Sequence, residues 1–228
     1  MLFKIVLLTC LGVSTASTDN TKLKELNKLM KTLDRQMQDL VSNSTSRFRP
    51  LHSALGYYTG QARKAFIGNM TIAAQPYWST VAEAKKTAEK QGRNIDICVE
   101  TGNSEIYATN NTFVTKAVQN IRTELAAGQT YLSDIYAAIR NDPIEKLDEM
   151  QQRVDGCNEE VCAVELTEQF NKEYSEISSR LETSVNEARY YAYREFMKKT
   201  EQYVIVPQEY HNEILKIMSA FEKCIKQK

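Results

Sequence analysis

The chain has few residues that break helices and few that carry catalytic chemistry. Its 228 residues include only eight glycines, four prolines and two histidines, His52 and His211. So little Gly and Pro favours long helices over many strands and turns. Neither histidine has a partner at metal-ligand spacing, so a zinc site is not expected. Nucleophile elbows, phosphate loops and calcium loops are also missing, and no motif identifies a reaction or a cofactor.

The charge balance and the hydrophobic runs exclude two further classes of protein. Lys plus Arg equals Asp plus Glu at 29 each, so no net basic field attracts nucleic acid. The apolar run over 5–13 is too short to span a bilayer, and no later stretch approaches the ~20 apolar residues of a transmembrane helix. This run follows Lys4 and precedes small residues. We therefore predict a secretory signal peptide over 1–16, cleaved after Ala16.

The remaining residues are expected to form long helices. Residues 157–206 contain no Gly or Pro, and Gly156 and Pro207 bracket them. Their apolar residues recur every three to four positions, as on one face of a helix. Since Gly156 is part of the only reversal, 112–155 should pack antiparallel along 162–206. The predicted fold is all-α: an elongated antiparallel bundle of long helices, stapled by two disulfides.

An N-terminal segment over 17–45 is predicted as a heptad helix and polar linker, and 46–228 as the bundle domain. The helix should end near Val41. Its apolar seam fits either self-association as a coiled coil or docking onto the bundle. The seam consists of Leu23, Leu26, Met30, Leu33, Met37 and Leu40.

Four local breaks are also expected from the sequence. Residues 51–75 form a weaker helical pattern, and Pro76 should begin a separate helix over 76–91. Residues 93–111 look irregular, and Pro143 should restart a helix after a break at Asn141. A last helix follows Pro207.

Four cysteines remain once the predicted signal peptide is removed, and an even number in a secreted chain predicts two disulfides. Three connectivities are open for Cys98, Cys157, Cys162 and Cys224.

Helix length favours one of these pairings. A straight helix over 162–206 would hold Cys162 about 65 Å from the turn at Pro207. Cys224 comes back only about 25 Å from the same turn. We therefore favour Cys157–Cys162, with a turn over 158–161 that brings the two together, and this leaves Cys98 for Cys224. A kink near 178–184 would instead permit a bridge between Cys162 and Cys224.

Three N-glycosylation sequons begin at Asn43, Asn69 and Asn110. Because a glycan is bulky, all three side chains should be exposed.

Two groups of aromatic residues are candidate binding surfaces. The run from Arg189 to Arg194 combines three tyrosines with two arginines, and we expect it to be part core and part solvated rim. Six aromatic residues could line an apolar cavity, although a filled core is the simpler expectation. They are Phe113, Tyr136, Phe170, Tyr174, Tyr191 and Phe196.

The cysteine pattern also suggests a family. Cys98, the close pair Cys157 and Cys162, the long helix and Cys224 resemble insect secreted proteins that share a domain with the tsetse midgut EP protein. The resemblance covers about 98–225 and lacks the Glu-Pro repeat tail. It implies a secreted gut or body-fluid protein without catalysis, and it transfers no site residues.

The functional hypothesis from the sequence is a secreted, N-glycosylated, non-enzymatic extracellular interaction or protective protein. The alternative is a carrier of a small apolar ligand in a bundle cavity. An enzyme is the least favoured of the three classes.

Overall fold

The computed structural model describes residues 21–227, and their regular structure is helical throughout. The predicted signal peptide over 1–16 lies outside this range. A π-helix (Tyr191–Glu195) joins α4 to α5, and a short 3-10 helix (Gln202–Val204) follows α5. The α-helices of the described range are α1 (Thr21–Ser46), α2 (Phe48–Lys90), α3 (Asp96–Asp155), α4 (Glu160–Tyr190), α5 (Phe196–Glu201) and α6 (Gln208–Lys226).

These helices form three rods that run side by side. Rod 1 is α1 followed by α2, rod 2 is α3, and rod 3 runs from α4 to α6. The 60 residues of α3 span about 90 Å, at the helical rise per residue. The Tyr77 hydroxyl donates to Asn103 at 3.0 Å, and the rings of Phe48 and Tyr136 lie 5.6 Å apart. Residue numbers fall along rod 2 as they rise along rod 1, so these two rods are antiparallel.

Rod 3 reverses again and runs parallel to rod 1. Arg47 of rod 1 pairs with Glu182 at 2.6 Å, and the Asn69 amide donates to the carbonyl of Val204 at 2.9 Å. Against rod 2, by contrast, rod 3 is antiparallel. The predicted all-α, elongated antiparallel bundle is therefore confirmed, including the packing of 112–155 along 162–206.

Buried side chains form two successive cores along the bundle. The lower core lies between α1, the start of α2, the second half of α3 and α4. The upper core lies between the rest of α2, the first half of α3 and α6. The largest side chains that are almost fully buried include Phe48, Phe170 and Phe196 in the lower core, and Tyr77, Ile106 and Tyr210 in the upper core.

The N-terminal seam is part of the lower core. Leu26, Met30, Leu33 and Met37 are at most 6% exposed, and Leu23 and Leu40 pack beside them. Of the two alternatives for the seam, the structure shows docking onto the bundle, because rods 2 and 3 cover these residues. Nothing in residues 21–227 supports self-association of two copies through the seam.

Helix α1 also runs past the predicted end at Val41, to Ser46. Ser44 and Phe48 continue the buried face, at 4% and 1% exposure. Arg47 keeps a right-handed helical backbone, with φ −74° and ψ −10°, so the predicted polar linker is helical instead.

Both internal prolines lie within helices, so two predicted breaks are wrong. Pro76 is inside α2 and Pro143 is inside α3. Proline in a helix interior costs about 3 kcal/mol. Each of these, however, is flanked by residues that hold the helix on its neighbours: Ala74 and Tyr77 are almost fully buried around Pro76. Tertiary packing of this kind outweighs local propensity.

The segment 93–111 is not irregular either, since α3 begins at Asp96. Its buried residues fall at helical spacing: Cys98, Gly102 and Ile106 follow one another at four-residue steps. Gly102 is a site of close contact with Tyr77 rather than a break.

Two disulfides fasten the bundle near its ends. We call Cys98–Cys224 the terminal disulfide and Cys157–Cys162 the hairpin disulfide, with Cα atoms 5.8 and 5.9 Å apart. These are the two pairs favoured from the sequence. Cys157 lies in the turn before α4, and the helix begins at Glu160, two residues before the predicted start at Cys162.

Candidate functional site

Rod 3 departs from regular α-helix at the π-helix, close to where the lower core gives way to the upper one. Buried residues follow at four-residue steps here: Ala188, Ala192, Phe196 and Thr200, all at most 2% exposed. Runs of four-residue steps also occur in regular α-helix, as at Ala62, Phe66 and Met70 of α2, so the spacing alone does not require a wider turn. Rod 3 nevertheless has a wider turn here, the π-helix, and such π-bulges are frequent at functional sites. The uniform helix expected over 157–206 is thus corrected at this point.

An open groove of about 400 Å³ lies beside the π-helix, between α3 and rod 3. We call it the tyrosine groove. It is lined by Tyr131, Thr183, Asn186, Glu187, Tyr190, Tyr191 and Glu195.

The three tyrosines differ in how far they are covered. Tyr190 is 60% exposed, Tyr131 is 40% exposed, and Tyr191 is buried at 6%. The rings of Tyr131 and Tyr191 lie 4.2 Å apart between centroids, with their planes inclined by 38°. The groove therefore has an aromatic floor, and one ring projects into solvent at its edge.

The protein places a cation of its own against this floor. The Lys199 ammonium lies 5.4 Å from the centroid of the Tyr191 ring. It also lies 3.3 Å from a carboxylate oxygen of Glu124, which is largely buried. The quadrupole of an aromatic ring attracts a cation that lies on the face of the ring. Tyr191 thus already accepts a cation in the folded chain.

The carboxylates at the groove lack an ion-pair partner in the described part of the chain, although Glu195 helps to raise the pKa of Lys199 from a distance. Within residues 21–227, neither Glu187 nor Glu195 takes part in an ion pair. Burial first, and then these two carboxylates, raise the pKa of Tyr131. Burial also raises the pKa of Tyr191, against the opposing effect of Lys199. Tyr131 and Tyr191 are accordingly neutral hydrogen-bonding groups at physiological pH.

A second groove, of about 270 Å³, lies on the other side of α4. Arg189 and Tyr193 border it together with Arg47, whose ion pair with Glu182 lowers the pKa of that carboxyl. The run from Arg189 to Arg194 is therefore divided: Tyr191 and Ala192 are in the core, and the arginines are solvated. This is the mixture of core and rim that the sequence suggests. No pattern in the sequence indicates the contact with Tyr131, which comes from a distant part of the chain.

The six aromatic residues proposed as a cavity lining do not meet in one place. Five of them pack in or against the lower core, whereas Phe113 packs against the upper core. Phe170 and Phe196 are fully buried among other side chains.

The predicted glycosylation sites differ in their surroundings. Asn43 and Asn69 are exposed on helices, and Asn69 donates a hydrogen bond to Val204. Asn110 is half-buried, and its carbonyl oxygen accepts a 2.6 Å hydrogen bond from the hydroxyl of the buried Tyr210. None of the three is fully buried.

The hydrogen bonds of two buried tyrosines have no signal in the sequence. Tyr77 and Tyr210 anchor the upper core, with their hydroxyls bonded to Asn103 and Asn110. Burial raises the pKa of Tyr77 to about 12 and also raises that of Tyr210. Each tyrosine and its asparagine belong to different rods, so periodicity along one helix gives no signal for the pair.

Among the described residues, no group of three His, Cys, Asp or Glu side chains is arranged to hold a metal ion. None of the helices over 21–227 is both long and apolar enough to cross a membrane. Comparison with protein families, curated proteins and solved structures finds no match to this chain.

Proposed function

We propose that this protein is a secreted, N-glycosylated, non-enzymatic extracellular interaction protein, and that the tyrosine groove is its binding surface. The observation that carries the proposal is the groove itself: three tyrosines and two unpaired carboxylates on the side of a tightly packed rod. Tyrosine is enriched at interfaces because it offers a large, rigid contact area with a polar tip. The resemblance to insect gut proteins suggests gut or body fluid as the setting.

The packing of the bundle favours binding of a partner on its side over carriage of a small apolar ligand in its interior. Phe170 and Phe196 fill positions that a carrier would leave open, with no measurable exposure. Two disulfides stabilise a thin, elongated molecule and are compatible with an oxidising compartment.

The groove offers recognition chemistry rather than reaction chemistry. Its ionisable residues are three tyrosines and two glutamates. The pKa of Tyr131 and that of Tyr191 are raised, which moves both away from the range of a general base at neutral pH.

Secretion and glycosylation are tested together by expressing the full chain in cultured insect cells. We expect the protein in the medium. Peptide mapping after glycosidase treatment in heavy-oxygen water should show the label at Asn43 and Asn69. Retention inside the cells, or a protein without N-glycans, would contradict the extracellular assignment.

The binding surface is tested with the purified secreted protein on intact cells and extracellular matrix. We expect saturable binding that Tyr190→Ala abolishes and Leu215→Ala leaves unchanged. Leu215 is the matched control because it is 61% exposed against 60% for Tyr190, on a different helix. Equal binding by the two variants would exclude the tyrosine groove as the interaction surface.

A further inference from the structure

Resting on the proposed function, we propose a chemistry for the partner: the tyrosine groove takes an extended segment of a partner protein that carries two arginines four residues apart. Three features of the groove lead to this partner: its charge, its aromatic floor and the spacing of its carboxylates.

The charge of the groove calls for a cationic partner. Glu187 and Glu195 line it without an ion pair among residues 21–227. Lys199 is the cation that the chain places nearest, on the Tyr191 ring, but its ion pair is with Glu124 rather than with either groove carboxylate. Arg189 borders the groove on the other side of α4. A basic segment would therefore supply the ion-pair partners that Glu187 and Glu195 lack within the described residues.

The aromatic floor selects guanidinium over ammonium. A guanidinium group is planar, stacks on aromatic faces and forms paired hydrogen bonds with a carboxylate. Tyr131 and Tyr190 present rings at the groove, at 40% and 60% exposure. Asn186 adds an amide oxygen as a further acceptor. A lysine ammonium can also lie over a ring, as Lys199 does, but it can neither stack flat on the ring nor form paired hydrogen bonds with a carboxylate, so the groove suits arginine better.

The spacing of the carboxylates sets the spacing of the arginines. Glu187 and Glu195 are eight residues apart on rod 3, which is about 12 Å along a helix. Tyr191 lies midway between them. In an extended strand, residues four apart point to the same side and are about 13 Å apart. A segment with the pattern Arg-x-x-x-Arg thus reaches both carboxylates while its central residue lies over Tyr191.

The test uses three synthetic peptides and the full secreted chain labelled with ¹⁵N at its 12 tyrosines. The first peptide is acetyl-Gly-Arg-Gly-Gly-Gly-Arg-Gly-amide. The second has the same composition with the two arginines adjacent, and the third replaces both arginines by citrulline, which has the same shape but no charge. We expect the first peptide to shift the amide signals of Tyr190 and Tyr191, and to bind roughly tenfold more tightly than either of the others.

Two double variants test whether binding depends on the carboxylates of the groove or only on the total negative charge of rod 3. Glu187→Gln with Glu195→Gln should weaken the first peptide about tenfold. Glu165→Gln with Glu168→Gln removes the same charge from exposed positions on the same rod, and should leave binding unchanged. Equal affinity for the two arginine peptides, or equal loss in the two variants, would overturn the proposal. If the peptides fail while Tyr190→Ala still abolishes cell binding, the arginine chemistry is wrong and the proposed function stands.

Discussion

Replacing Gly102 by alanine should destabilise the protein, although the same change usually stabilises a helix. Gly102 lies in α3 where Tyr77 of α2 crosses it. A Cβ added at Gly102 would lie 3.2 Å from Cζ and 3.3 Å from Cε2 of Tyr77, and closer still to its hydroxyl oxygen. Tyr77 cannot move aside easily, because it is fully buried and its hydroxyl donates to Asn103.

The size of the effect follows from three opposing contributions. Overpacking a filled core costs about 1–3 kcal/mol. Loss of the hydrogen bond from Tyr77 to Asn103 adds about 1 kcal/mol. Replacing glycine in a helix interior returns about 1 kcal/mol. We therefore expect Gly102→Ala to lower the free energy of unfolding by about 1–3 kcal/mol, or roughly 2–4 °C in Tm for each kcal/mol.

Gly68 provides the matched control. It lies in α2, and an added Cβ would meet nothing within 4 Å. Gly68→Ala should therefore raise the free energy of unfolding by about 0.5–1 kcal/mol. Urea unfolding followed by circular dichroism measures both variants. The fluorescence of Trp78, the only tryptophan, follows the region directly, since its ring lies 5.0 Å from that of Tyr77.

A second change tests the cause. Tyr77→Phe removes the hydroxyl with which the new methyl group would clash. The change should therefore lower the free energy of unfolding less in the Gly102→Ala protein than in the wild type. We expect a coupling of about 1 kcal/mol in this double-mutant cycle. The close approach of α2 and α3 is refuted if Gly102→Ala is as stable as Gly68→Ala, or if the two changes are additive.

Three further outcomes follow from the buried seam, the bridges and the buried tyrosines. Leu33→Asp should lower thermal stability equally at all protein concentrations, because Leu33 is 2% exposed within one chain; a change from dimer to folded monomer in sedimentation would contradict this. The terminal disulfide closes a loop of 126 residues and the hairpin disulfide a loop of five. In the chain-entropy model, replacing both cysteines by alanine should therefore lower the free energy of unfolding by about 5 kcal/mol for the terminal disulfide and about 2 kcal/mol for the hairpin disulfide. Calorimetry showing the reverse order would refute that account. Tyr77 holds its proton to a pKa of about 12 when folded, but to about 10 when unfolded. The unfolded state therefore binds fewer protons between these values, and stability should fall as pH rises from about 10 to 12; Tyr77→Phe should flatten this fall in alkaline urea titrations.

The sequence predicted the fold class because helical periodicity is a local property that tertiary packing reinforces. The seam at Leu26, Met30 and Leu33 and the stripe along rod 3 each show which face is buried. The uninterrupted length of α2 and α3 was harder to predict, because the rules for Pro and Gly consider one residue at a time. Pro76 and Pro143 each lie next to a residue with a contact tens of residues away, Tyr77 with Asn103 and Asp142 with Arg180, and no local rule contains such contacts.

Helix length predicted the disulfide pairing seen in the structure, although rod 3 is not a uniform helix. A π-helix widens one turn but leaves the rod running in the same direction, so Cys162 stays far from Cys224. Only a sharp reversal of the rod could have joined those two residues. The pairing therefore depends on the direction of rod 3 rather than on the regularity of its helices.

The tyrosine groove shows why sites of this kind are poorly visible in a sequence. Tyr131 meets Tyr191 only because rods 2 and 3 are antiparallel in one particular register. A shift of one residue in that register would turn Tyr131 by about 100° around its helix and away from the groove. The apolar steps at Ala188, Ala192 and Phe196 can be read without a structure, but regular α-helices of this chain show the same steps, so they do not predict the π-helix. Nor do they identify the side chain that the neighbouring rod places opposite the π-helix, and that side chain completes the groove.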